Sequence, residues 1–329
     1  MTYPHRRALL GVAATVFALA GCADQATAPI DVPERPSFSA AGADDEPVGY
    51  SDYLAGVNRR IAANGGRVTV ARAELLLSSN APVKTPRIVF ANDRELRLPT
   101  RWVSADLRRL ATDGTLSYAV FSPLARSATG GPAEAAFDAS FATWNSVSCS
   151  KIVVRKKALS PGQIPSAILT GGLFPPADIN DVGFVPASFF DQVFGAGSSQ
   201  FVIGVTVTFA FIEVDANGQP ILDPQGNAIP TDVDRDGRFD TAFKEVWFND
   251  GLVYSTNGAP GTIDIETAAL HEHGHALELG HFGKIAGDPK TGKLHVSPRA
   301  VMNAALLGTL RSPLGSDNAA LCGNYASWQ

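Results

Sequence analysis

The chain has 329 residues, 45% of them hydrophobic, and a formal net charge of −5. That length holds one large domain or two small ones, and the apolar share suffices for a sizeable core. With no basic block, nucleic acid is excluded as the expected partner.

Residues 1–22 read as a targeting segment. His5, Arg6 and Arg7 supply a basic start, and the apolar run from Ala8 to Ala20 is too short to span a bilayer comfortably. The segment ends in Leu19-Ala20-Gly21-Cys22, which resembles the bacterial lipobox. That resemblance implies an exported lipoprotein of the cell envelope, anchored to the membrane through lipid on Cys22. An ordinary secretory leader with an incidental cysteine is the alternative. From 23 to 48 the chain is Ala, Pro, Asp, Glu and Ser without periodicity, which reads as a flexible tether.

Residues 49–110 read as a modest N-terminal region, either a small pro-region or a lead-in to the domain that follows. Tyr53 to Ala63 predicts a helix stopped by Asn64-Gly65-Gly66, and Arg67 to Leu76 and Arg87 to Leu96 predict strands. Residues 111–329 read as one α/β domain. Leu116 to Phe121 predicts its first strand. Pro132 to Ser148 predicts a helix with proline at its start and Ala136, Phe137, Phe141 and Trp144 on one apolar side. Lys151 to Lys157, Asp181 to Val185, Phe201 to Val214 and Lys244 to Asn249 predict further strands. Cys149 and Cys322, an even pair in an exported chain, predict a disulfide.

Asp232, Asp234, Asp236, Gly237 and Asp240 place carboxylates at alternate positions around a turn, as a hard oxygen-seeking cation requires. The run resembles the D-x-D-x-D-G loop of calcium modules, although Phe243 stands where an EF-hand needs its twelfth-position glutamate. A calcium-stabilised hairpin loop is expected, with a solvated acidic turn as the alternative.

The most informative stretch runs from His271 to His281. His271 and His275 lie four apart, so on a helix their imidazoles share a face and can grip one metal ion. Glu272 lies beside them, placed for a water molecule. Catalytic zinc usually takes three protein ligands, and His281 becomes the third if the helix stops soon after His275 and the chain turns back. His273 points the other way, toward Ala269, Leu270, Ala276 and Leu277, and reads as a packed core histidine. Asp264 predicts the helix N-cap, with Glu266 in the first turn.

His271-Glu272-x-x-His275 followed by His281 resembles the metzincin motif H-E-x-x-H-x-x-G-x-x-H, and its wording is most similar to the matrixin branch. Glu278 stands where the family carries glycine, so a non-standard ligand set is also open, with Glu278 itself or His295 as replacement. The resemblance implies a metzincin-like fold, a zinc ion on His271, His275 and His281, and Glu272 as general base. It also implies an apolar floor from Met302, a β-rich strand near 201–214 bordering the substrate cleft, and peptide or protein substrates. Matrixins often keep latency through a pro-region cysteine; here only Cys22 precedes the catalytic part, so that device is absent. The function expected is a zinc-dependent endopeptidase. The competing expectation is a catalytically impaired, zinc-containing surface binding lipoprotein.

Overall fold

A mixed sheet built from eight strands organises the computed structural model, and its order decides where a ligand can approach. The structure describes residues 50–329 apart from 82–97, 105, 126, 129–130, 172–174, 289 and 292. Cys22, the leader, the tether and the strand expected from Arg87 to Leu96 lie outside the described residues.

Helix α1 (Tyr50–Ala63) ends where expected, with Gly65 at φ 76° making the turn into β1 (Val68–Ser78). Next come β2 (Leu116–Val120), α2 (Ala133–Asn145), β3 (Val154–Lys156) and β4 (Ile179–Val185). They are followed by α3 (Ala187–Phe194), β5 (Val202–Phe211), β6 (Phe239–Asn249), α4 (Ile265–Ala276), β7 (Ala305–Leu306) and α5 (Gly315–Tyr325). In space the strands run β7-β1-β5-β6-β4-β2-β3, and Thr100–Arg101 pairs with β6 at one end. Neighbours from β6 to β3 are parallel, whereas β5 runs antiparallel to both β1 and β6. The α/β class expected from the sequence is thus present.

Helices cover both faces, which explains why all ten residues of β5 are buried and why its sequence reads as an unbroken apolar run. Period-two alternation divides the core. Ile203, Val246 and Phe248 face α2, α4 and α5, together with Phe137, Phe141, Trp144 and Leu270. Val205, Val207, Phe243 and Trp247 face α1 and α3 on the other side. Cys149 and Cys322 are joined, with their Cα atoms 5.4 Å apart, and tie the segment after α2 to α5.

One expectation needs correcting. The strand near 201–214 does not present a free edge to a cleft, because β1 pairs along it from Val68↔Phe211 to Leu77↔Val202. The N-terminal region therefore contributes a strand to the same sheet. Local pattern shows that residues 68–78 are a strand, but not which distant edge they join.

Candidate metal centre

Helix α4 starts on the Asp264 side chain, which accepts from the Thr267 backbone N–H at 2.9 Å and is held by Arg311. It ends at Ala276, one residue past His275. Leu277 caps it, and Glu278 takes φ 62°, the left-handed conformation that glycine adopts freely. Leu279 N–H then donates back to the Gly274 carbonyl at 3.0 Å. The chain reverses and returns His281 to the helix, as the spacing predicts. Ring centroids lie 4.6 Å apart for His271 and His275, 4.5 Å for His275 and His281, and 5.2 Å for His271 and His281.

Each ring is oriented by an acceptor on its far side. His271 Nδ1 donates to the Val301 carbonyl and His275 Nδ1 to the Leu279 carbonyl, both at 2.7 Å. Since a carbonyl only accepts, the proton sits on Nδ1 and the lone pair on Nε2. The His281 ring donates to the Leu75 carbonyl, and its Nδ1 lies 3.6 Å from Glu74 Oε2. One nitrogen from each of the three rings lies within 4.8 Å of the others. The Nε2 atoms of His275 and His281 are 3.1 Å apart, and His271 Nε2 is buried without a hydrogen-bond partner. Two lone pairs so close repel unless a cation lies between them. A tetrahedral ion with nitrogen ligands would set a spacing of about 3.3 Å, so the three residues fit a metal ion.

Electrostatics favour the ligand form. Burial, then the neighbouring His281, pushes His271 down to about 3. Burial and Arg72 take His281 to about 3, and burial with the two other rings holds His275 well below its ordinary value. All three are therefore neutral near pH 7, as metal ligation requires.

Glu272 is fully buried beside this cluster and outside it. The Thr206 hydroxyl lies 2.6 Å from Oε2, whereas Oε1 has no hydrogen-bond partner. Gly204 on β5 makes room for the carboxylate: a Cβ there would come within 2.9 Å of Oε1. Burial raises this carboxyl well above its ordinary range, opposed chiefly by the Thr206 hydrogen bond. The side chain suits taking up and releasing a proton.

Met302 lies beneath the helix, fully buried, and its sulfur occupies the place that a Cβ on Gly274 would need. Its turn is fixed by Asp317, whose Oδ2 accepts from Val301 N–H at 2.9 Å and Leu314 N–H at 2.8 Å, while Oδ1 accepts from Met302 N–H at 3.1 Å. The Val301 carbonyl that orients His271 depends on this carboxylate. Asp317→Ala should therefore weaken metal affinity by about 10–100-fold, the scale for an outer-shell partner. Competition with a chelator measures it, and an unchanged affinity would uncouple the turn from the metal.

Glu278 does not join the ligand cluster. Its carboxylate turns away to Lys244 Nζ at 2.9 Å and accepts from the Thr100 and Thr241 hydroxyls, all fully or nearly fully buried. Lys244 Nζ also donates to the His275 carbonyl at 2.8 Å. His295, the other proposed replacement, lies exposed on a strand, Leu294–Ser297, outside the cluster. His273 packs as expected, stacked on Phe141 with centroids 3.8 Å apart. Both of its nitrogens are partnered, Nε2 with Asp181 at 2.8 Å and Nδ1 with Ser140.

In the acidic loop, Asp232, Asp234 and Asp240 bring carboxylate oxygens together. Asp236 is not among them; it pairs with Arg101 at 2.7 Å and Arg238 at 3.0 Å. Asp240 also meets Arg108 at 2.7 Å. Arginine thus answers part of the charge that a calcium ion would take.

Sequence reasoning missed Thr206, Gly204, Asp317 and Lys244. Only Lys244 carried a signal: a lone lysine inside the apolar run Ala242 to Phe248 needs a buried anion. No protein-family model and no curated protein sequence matches the chain.

Proposed function

We propose that the protein is a zinc-dependent endopeptidase of metzincin-like, matrixin-like organisation. One observation carries the reading. Three buried imidazoles turn unprotonated nitrogens toward one point, while the carboxylate next to the first of them stays out of the ligand set. A purely structural metal site has no need of that carboxylate. The order β2-α2-β3-β4-β5-β6-α4 and the methionine under the helix support the same reading.

His271, His275 and His281 would hold the ion. Bound zinc supplies Lewis-acid polarisation of the scissile carbonyl and of a water molecule. Glu272 takes the water proton at its unpartnered Oε1 and returns it to the leaving amine, while Thr206 fixes Oε2. On this reading residues 1–22 direct export, Cys22 carries the lipid anchor, and the substrate is a protein or peptide at the cell envelope.

The test uses the chain from Ala23 onward, assayed both unaltered and with Leu76→Asp, because Leu76 closes the site from the β1 side. One zinc per chain is expected. Hydrolysis of an unfolded protein should vanish with chelator and return with zinc. Stoichiometric zinc without turnover in either form would favour the zinc-containing binding protein instead. No zinc at all would end both readings.

A further inference from the structure

The C-terminal half of β1 lies across the metal centre, and its polarity is that of a substrate. The Leu75 carbonyl faces the ligand histidines through His281, and the Leu76 backbone amide lies against the Glu272 carboxylate. A peptide to be hydrolysed needs this orientation, with carbonyl toward the Lewis acid and leaving nitrogen toward the group that returns the proton. The Leu76 side chain is 1% exposed and enters a cleft lined by His271, Thr267, Val301, Leu306 and Leu310.

The pairing is also that of an added strand. β1 runs antiparallel to β5, with Leu76 opposite Gly204, and parallel to β7 at Leu77 and Ser78. Beyond β1 only β7 continues the sheet. An extended peptide reaching the metal centre along β5 would have to lie where β1 lies.

The two halves of β1 differ in chemistry. Val68, Val70, Ala73 and Leu75 pack into the core under α1. The opposite side of the second half presents Arg72 and Glu74, paired to each other, then Leu76. A charged pair set against neutral, buried histidines is poor packing for a permanent core strand. A register irregularity separates Leu76 from Leu77.

We propose that Arg72–Ser78 is a built-in occupant of the groove that an extended peptide takes, and that the site opens when this half-strand leaves. The segment does what a latency cysteine does elsewhere, by strand pairing instead of metal ligation. Leu76 marks the groove as one for a peptide with an aliphatic side chain on the leaving-amine side. This inference rests on the peptidase reading for its purpose, but its test does not.

The test compares zinc-loaded wild-type chain with Leu76→Asp and, as a conservative control, Leu76→Met. Mass spectrometry confirms that the chains compared are intact. Leu76→Asp should raise the open population on the order of 100-fold, read as faster zinc loss to a chelator. It should also let the variant bind a synthetic peptide, Arg-Ala-Glu-Leu-Leu-Leu-Ser-Ser, that the wild type excludes. Leu76→Met should behave as wild type.

If Leu76→Asp melts as a whole, β1 is a core strand and the proposal is overturned. Equal zinc loss and equal peptide binding in all three chains would overturn it too. Equal hydrolysis of an unfolded protein by wild type and Leu76→Asp would sink the proposal and leave the peptidase reading standing. Faster zinc loss and new peptide binding without hydrolysis in any form would uphold the groove and sink the peptidase reading.

Discussion

Glu278→Gly should destabilise the protein by about 3–5 kcal/mol, the usual penalty for removing one partner of a buried ion pair. The motif alone argues the reverse. Glycine relieves an L-residue at φ 62° of roughly 1–2 kcal/mol, so the substitution looks harmless or favourable. The Lys244 ammonium reverses that sign. It is fully buried, burial already pushes its pKa down, and Glu278 is the anion that offsets this. Without Glu278 the ammonium is an orphan, and the Thr100 and Thr241 hydroxyls lose their acceptor. The relief at the backbone is smaller than the loss at the side chain. Adding Lys244→Met should restore most of the stability, because the orphan charge goes and a similar volume remains. Urea denaturation of the two single variants and the double variant forms the cycle. A double variant no more stable than Glu278→Gly would show that backbone conformation, not charge, governs the position. Zinc titration adds a second reading: with three histidines as ligands, folded Glu278→Gly still binds one ion.

The contrast between these arguments marks what was legible in the sequence. Residues close along the chain announced themselves. The i, i+4 histidines, the exit at Glu278, the N-cap at Asp264 and the return of His281 all depend on helix period and one reversal, and all are present. Met302 was found because a sole internal methionine stands out in this chain. Partnerships across long separations were not readable. Lys244 and Glu278 meet only because β6 passes beneath the end of α4. β1 reaches β5 across more than 120 residues, and nothing in Val68–Ser78 states which edge it will join. A boundary near 110 reads naturally from composition, yet β1 lies in the same sheet as the strands after it. Non-local strand pairing is set by global packing, which a local period does not encode.

Glu272→Gln should leave metal binding and fold intact and lower hydrolysis at least about a hundredfold, the lower scale for a positioned acid–base group. The amide keeps the size of the carboxylate and can still accept from Thr206 through its oxygen. It also fits the space that Gly204 leaves. What it cannot do is take a proton. Stability should not fall, because burial already disfavours the charged carboxylate, which the neutral amide replaces. The three imidazoles are oriented by Val301, Leu279 and Leu75, none of which depends on the charge at 272. Metal content should therefore equal that of the parent chain. Comparison within the Leu76→Asp background separates the loss of the base from closure by β1, since both chains then share an open groove. Turnover equal to the parent would remove Glu272 from the mechanism. Loss of the metal along with turnover would instead make Glu272 part of the ligand shell, contrary to its position beside Thr206 and outside the histidine cluster.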